Sequence, residues 1–158
     1  MDMLANNFLY SSGLKVMVIS TYIGFDVGTK RTGVSIANSL TMQANGISVV
    51  KNHKDGSTNW EGFDEIINAH KVTLFVVGLP LDIDGKAQEM TYVAKSFGRK
   101  LSSRYSIDVV FVDEYLSSNE AKKHLKYSHN HPNARRGDVD KYSSQLILQT
   151  WLNENRPD

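Results

Sequence analysis

The chain predicts a three-layer α/β domain built on a mixed five-stranded sheet, and three observations carry that prediction. Segments 16–27, 34–37 and 47–50 are rich in β-branched and apolar residues, and short turns separate them, so they fold back antiparallel. Segments 72–77 and 107–112 are short and mostly apolar, as strands buried on both faces are. Helical spacing fills the gaps between and after these two, which places helices on both faces of the sheet.

The elements follow in order. Residues 1–15 have no regular pattern and read as a flexible leader, residues 16–153 as one domain, and residues 154–158 as a tail. The first strand ends near Val27, the string GTKRTG at 28–33 turns the chain, and 34–37 return as a hairpin. Thr58 followed by Glu61 has the form of a capping box that opens a helix reaching about His70. The strand at 72–77 stops where glycine and proline enter at 78–85. Ala87, Met90, Ala94, Phe97 and Leu101 recur at helical spacing and pack a second helix onto the sheet. After the strand at 107–112, Ser117 and Glu120 form another capping box, residues 127–137 form a polar loop, and a last helix covers about 138–152.

Composition sets outer limits. At 158 residues the chain is long enough to bury a core without staples. It has no cysteine, so thiolate chemistry and disulfides are excluded, which fits a cytoplasmic protein. No apolar run is long enough to span a membrane, and no membrane partner is expected. The net charge is only +1, yet Lys122, Lys123, Lys126, Arg135, Arg136 and Lys141 face only Asp138 and Asp140 in their segment. Such an edge suits a polyanion, and it equally suits a solvated helix face.

Three acids occupy informative positions. Asp26 lies at the end of the first strand, Glu114 at the end of the last strand, and Asp140 in the first turn of the final helix. Ligands of open α/β sheets gather at the carboxyl ends of the parallel strands, where these acids could converge. Converging carboxylates repel each other until cations neutralise them. Oxygen-seeking Mg²⁺ or Mn²⁺ would suit them, with two ions about 3.5–4 Å apart serving phosphodiester hydrolysis. Each acid also has a plainer reading. Asp26 could satisfy turn amides, Glu114 could be solvated, and Asp140 could favour the helix N-terminus through its dipole.

The strings around these acids resemble one family. GFDVGTKRTGV at 24–34, VGLPLDIDG at 77–85, VDEYLS at 112–117 and DVDKYSSQLIL at 138–148 are similar, in order, to the four motifs of the YqgF family. That family is described both as pre-16S rRNA nucleases and as Holliday junction resolvases. The resemblance spans about 23–151 and implies an RNase H-like fold, nucleic acid as partner (precursor rRNA foremost, branched DNA as the alternative), and catalytic acids at Asp26, Glu114 and Asp140. Tyr115 stands where the family commonly has arginine, and Lys141-Tyr-Ser-Ser144 are bulkier than usual.

Helix geometry separates the two aspartates of the fourth motif, because residues two apart point about 200° away from each other. Asp138 after Gly137 suits an N-cap; Val139, Tyr142 and Leu146 then read as the packing face, and Asp140 as the metal ligand. Lys30 and Arg31 in the hairpin turn, and Arg135 and Arg136 in the polar loop, are candidates for phosphate contact. His129 and His131 read as solvated, and Trp60 and Trp151 as packing residues. Two other functions compete. The DVGT string also resembles the phosphate loop of actin-like and sugar-kinase proteins, which clamp ATP between two domains where this chain has room for one. A non-catalytic nucleic-acid module is the other, and retention of all three acids speaks against it.

Overall fold

The computed structural model describes residues 8–11, 13–115 and 136–157. Strands β1 (Phe8–Ser11) and β2 (Leu14–Met17) form a two-stranded antiparallel ribbon apart from the main sheet. Strands β3 (Thr21–Val27), β4 (Arg31–Asn38), β5 (Asn45–Lys51), β6 (Val72–Pro80) and β7 (Asp108–Glu114) form that sheet, in the order β5-β4-β3-β6-β7. β3 runs antiparallel to β4 and parallel to β6, and β6 runs parallel to β7. The mixed five-stranded sheet is the one the sequence predicts.

Several boundaries differ from the sequence reading. The ribbon takes residues assigned to the leader, and the strand expected over 16–27 breaks at residues 18–20. At the break, Ser20 and Ser39 exchange two hydrogen bonds, Ser20 N to Ser39 Oγ and Ser39 N to Ser20 O, both 2.9 Å. They register the start of β3 against the end of β4, leaving β2 to pair with β1. β6 runs on through Pro80 because Pro80 lies opposite Glu114 at the end of the ladder, where the next amide, Leu81 N, donates to Glu114 O at 3.1 Å. A proline at a strand end costs no central ladder bond.

Helix α1 (Trp60–Asn68) is capped by Asn59, whose side chain accepts from Gly62 N at 3.1 Å; Thr58 is not the cap. Asn59 is the better-placed side-chain acceptor, one residue closer to the amides that need one. Helix α2 (Glu89–Tyr105) follows β6, and helix α3 (Arg136–Glu154) closes the chain. The capping box at Ser117 and Glu120, Arg135, His129 and His131, and all but the last two residues of the polar loop lie outside the described residues.

Strand alternation sorts the sheet into two apolar faces. Ile23, Phe25, Val34, Phe75 and Val77 point toward α1 and α2, where Phe63, Phe97 and Leu101 cover them. Phe25 meets Phe63, Phe75 and Phe97 edge-on at 5.4–5.9 Å, and Trp60 stacks on Phe97. Tyr22, Ala37, Leu74, Val76 and Val112 point the other way, beneath Ile147, Leu148, Trp151 and Leu152 of α3. The result is three layers, helices on each side of one sheet.

The buried stripe of α3 is Ser143, Ser144, Ile147, Leu148, Trp151 and Leu152. The packing face expected at Val139, Tyr142 and Leu146 is therefore rotated; those three are only half-buried. The short side chains at 143 and 144 let the helix sit close to the sheet, and that closeness sets its rotation.

Candidate active site

Asp26 lies opposite Gly33 on β4, so both point toward α3. Phe25 pairs with Val77, which puts Gly78 next in line beside Asp26 on β6. Glycines thus flank the aspartate on both neighbouring strands, and each makes room for something. A side chain at Gly33 would collide with the backbone carbonyl of Asp140. One at Gly78 would stand 2.7 Å from Glu114 Oε2 and 2.5 Å from Ile147 Cδ1. The first absence lets the start of α3 approach the sheet, and the second lets the Glu114 carboxylate reach across β6.

All three acids therefore share the α3 face, near the carboxyl ends of β3, β6 and β7. Burial pushes the Asp26 carboxyl up to about 6, and the Asp140 carboxylate adds to the push. Asp140 continues the stripe of Ser144 and Ile147 along α3, and Arg31 Nε donates to its Oδ2. Asp138 is exposed and occupies the third position of a helix that begins at Arg136, so it is not the N-cap. The helix starts earlier than Gly137 suggests, and Asp138 turns outward while Asp140 turns to the sheet. The charge of Asp138 still favours the first turn through the helix dipole.

The three acids are not gathered equally. The Asp140 charge acts on Asp26, and Glu114 approaches from the strand beyond Gly78. Among the described residues, no group of three acids or histidines forms a ready-made metal cluster. The donor chemistry of the Asp26–Asp140 pair nevertheless fits a hard divalent cation: two half-buried carboxylates whose like charges raise the Asp26 carboxyl, a cost that a cation would remove.

Residues 20–154 match the model of the RuvX family, described as Holliday junction resolvase. The chain belongs to this family. Its relatives include a protein of Aeromonas hydrophila named "Putative pre-16S rRNA nuclease", 39% identical over 132 residues, which are 84% of this chain and 94% of that one. A protein of the same name from Coxiella burnetii is 37% identical over 134 residues, 85% of this chain and 93% of the relative. Among solved structures, T. thermophilus RuvC in complex with a Holliday junction substrate matches with a TM-score of 0.50 at 12% identity, covering 85% of this chain and 94% of that one. The fowlpox virus Holliday junction resolvase matches with a TM-score of 0.50 at 10% identity, covering 85% and 99%. At these identities the two structures speak for the fold alone, which is RNase H-like.

In this RuvX-family chain the phosphate candidates part company. Lys30 is exposed, whereas Arg31 is turned inward onto Asp140. Arg135 and the side chain of Arg136 fall outside the described residues. Sequence reasoning missed the polar contacts that fix α3. Ser35 Oγ donates to Ser144 O at 2.8 Å, while the side chains of Gln145 and Gln149 accept from Gly46 N and Ala44 N at 3.0 and 2.9 Å. Gln145 and Gln149, four apart beside the apolar stripe, were the available signal.

Proposed function

We propose that the protein is a divalent-metal-dependent nuclease that matures the precursor of 16S rRNA in the cytoplasm, with Asp26, Asp140 and Glu114 as its acidic residues. The observation that carries this reading is Asp26, a half-buried carboxylate that faces the Asp140 carboxylate and has no cation of its own within ion-pair distance among the described residues. Perturbed acids of this kind gather at functional sites. The names of the relatives support precursor rRNA as substrate, and no helix among the described residues is long and apolar enough to cross a membrane.

Asp26 and Asp140 would hold Mg²⁺ or Mn²⁺, with Glu114 contributing from the neighbouring strand. When bound at such carboxylates, one or two of these ions supply an activated water and neutralise charge at the leaving oxygen. The chain's own part is positional. Gly33 and Gly78 keep space around Asp26, the Ser35–Ser144 contact holds α3 in place, and Arg31 orients Asp140 and balances its charge.

The family description gives a second substrate, the four-way DNA junction, for the same chemistry. Incubating precursor rRNA and a four-way junction side by side with Mn²⁺ or Mg²⁺, using wild type and Asp26→Asn, tests both. Precursor RNA should be cleaved by wild type only. Cleavage of the junction alone would replace the rRNA reading, and equal cleavage by Asp26→Asn would remove the site.

A further inference from the structure

Next to the acidic site lies a basic groove of about 550 Å³ between the β3–β4 turn and the loop from β5 to α1. Lys30, Arg31, Lys51, His53 and Lys54 line it, with Asp55 as its single carboxylate. Asp55 is already engaged, accepting from Ser57 N at 2.9 Å and Ser57 Oγ at 2.6 Å, and those bonds hold its carboxyl below the usual range. His53 Nε2 stands 3.4 Å from Glu61. Among the described residues, no carboxylate comes within ion-pair distance of Lys30, Lys51 or Lys54.

Two further features mark the groove as prepared for an anion. Lys51 lies directly opposite Arg31 in the β4–β5 ladder. Like charges in that position lower stability unless something negative meets them. Arg31 has Asp140 for that purpose, and Lys51 has no such partner among the described residues. The walls are also fixed in advance. Asn52 N donates to Lys30 O at 2.8 Å and Asn52 Nδ2 to Thr29 O at 3.1 Å, stapling one wall to the other. His53 N donates to Ser57 O at 2.9 Å and closes the lysine-bearing loop. Binding then has to order the lysine side chains but little of the backbone that carries them.

Resting on the nuclease reading above, we propose that this groove takes the sugar-phosphate backbone of the substrate strand. Lys30, Lys51 and Lys54 contact phosphates, and Arg31 joins the groove to Asp140 at the acidic site. The hydrated ammonium groups of lysines on flexible stems bind phosphate as point charges, so the groove contributes affinity and direction rather than base sequence.

The test is binding of a fluorescein-labelled RNA stem-loop by the full chain in EDTA, across a range of salt concentrations. Lys51→Ala/Lys54→Ala should bind roughly tenfold more weakly, with a salt slope shallower by about 0.7 to 0.9 per lysine removed. Lys71→Ala/Lys95→Ala, which removes two lysines outside the groove, should bind much as wild type does. An unchanged slope in the first pair, or an equal loss in both pairs, overturns the groove. Cleavage by wild type is scored separately: a groove that binds in a protein that cleaves nothing would sink the nuclease reading and leave the groove standing.

Discussion

Asp26 and Asp64 are the same side chain in opposite circumstances. Asp64, on α1, accepts from Arg104 Nε at 2.9 Å, Arg104 Nη2 at 2.7 Å and Tyr105 Oη at 2.6 Å. These donors hold its carboxyl well below the usual range, at about 2. Asp26, on the other face of the sheet, has burial and a second carboxylate instead, and rises to about 6. The Asp64 cluster contributes to holding α1 against α2. The Asp26 site stores repulsion that a bound cation would relieve. The difference separates a carboxylate that serves the fold from one that the fold tolerates.

The sharpest way to test this contrast is Asp26→Asn. If Asp26 holds the metal as proposed, cleavage should fall by orders of magnitude, because the ligand loses its charge. The metal-free protein should become more stable at neutral pH. A carboxyl raised from 3.8 to about 6 binds its proton more tightly in the folded state, so stability is lost as pH rises from about 4 to about 6. Neutralising it returns up to about 3 kcal/mol at pH 7, because each tenfold change in proton affinity is worth about 1.4 kcal/mol. Millimolar Mn²⁺ should raise the melting temperature of wild type and leave that of the variant unmoved. A variant less stable than wild type at pH 7 would erase the contrast. Asp140→Asn should also abolish cleavage, whereas the exposed Asp138→Asn should keep it; the reverse would shift the register of α3 by two residues.

Gly33→Ala probes the same site without touching an acid. Its new methyl group would meet the Asp140 carbonyl, so the start of α3 must move away from β4. A cost of about 1–3 kcal/mol in chemical denaturation, as for other overpacked positions, should accompany a large loss of cleavage. Normal activity would mean that the close approach of helix and strand does not position Asp140.

The Asp26 side of this contrast is largely legible in the sequence; the Asp64 side is not, because its partners Arg104 and Tyr105 lie some 40 positions away. The five strands announce themselves through apolar runs, and the separation of Asp138 from Asp140 follows from helix geometry alone. The rotation of α3 does not, because it depends on Ser143 and Ser144 packing close and on Gln145 and Gln149 reaching the backbone at and just before β5. Single-residue periodicity favours Val139 and Leu146 over such small and polar contacts. Arg31 reads as a phosphate ligand because a turn residue is normally solvated, and its ion pair crosses 109 positions of sequence. Gly33 and Gly78 read as punctuation. Their use as space beside Asp26 requires the register of three strands and a helix.

The smallest expected effect comes from the other half of the comparison. Asp64→Asn removes a carboxylate whose depressed value means that its stabilising contribution is present above about pH 4 and disappears as the pH falls toward 2. The pair is partly exposed, with Arg104 and Asp64 side chains 42% and 30% accessible, so solvent screens much of the attraction. Arg104 also keeps its place over the Trp60 ring, 5.3 Å from the centroid, when the carboxylate is gone. The melting temperature at pH 7 should therefore drop only slightly, and the wild-type and variant curves should converge as the pH approaches 2. Cleavage and the response to Mn²⁺ should be those of wild type, because Asp64 lies in the α1–α2 layer, across the sheet from Asp26. If Asp64→Asn instead weakened cleavage as strongly as Asp26→Asn, the two carboxylates would be parts of one coupled network, and the division between structural and functional acids would fail.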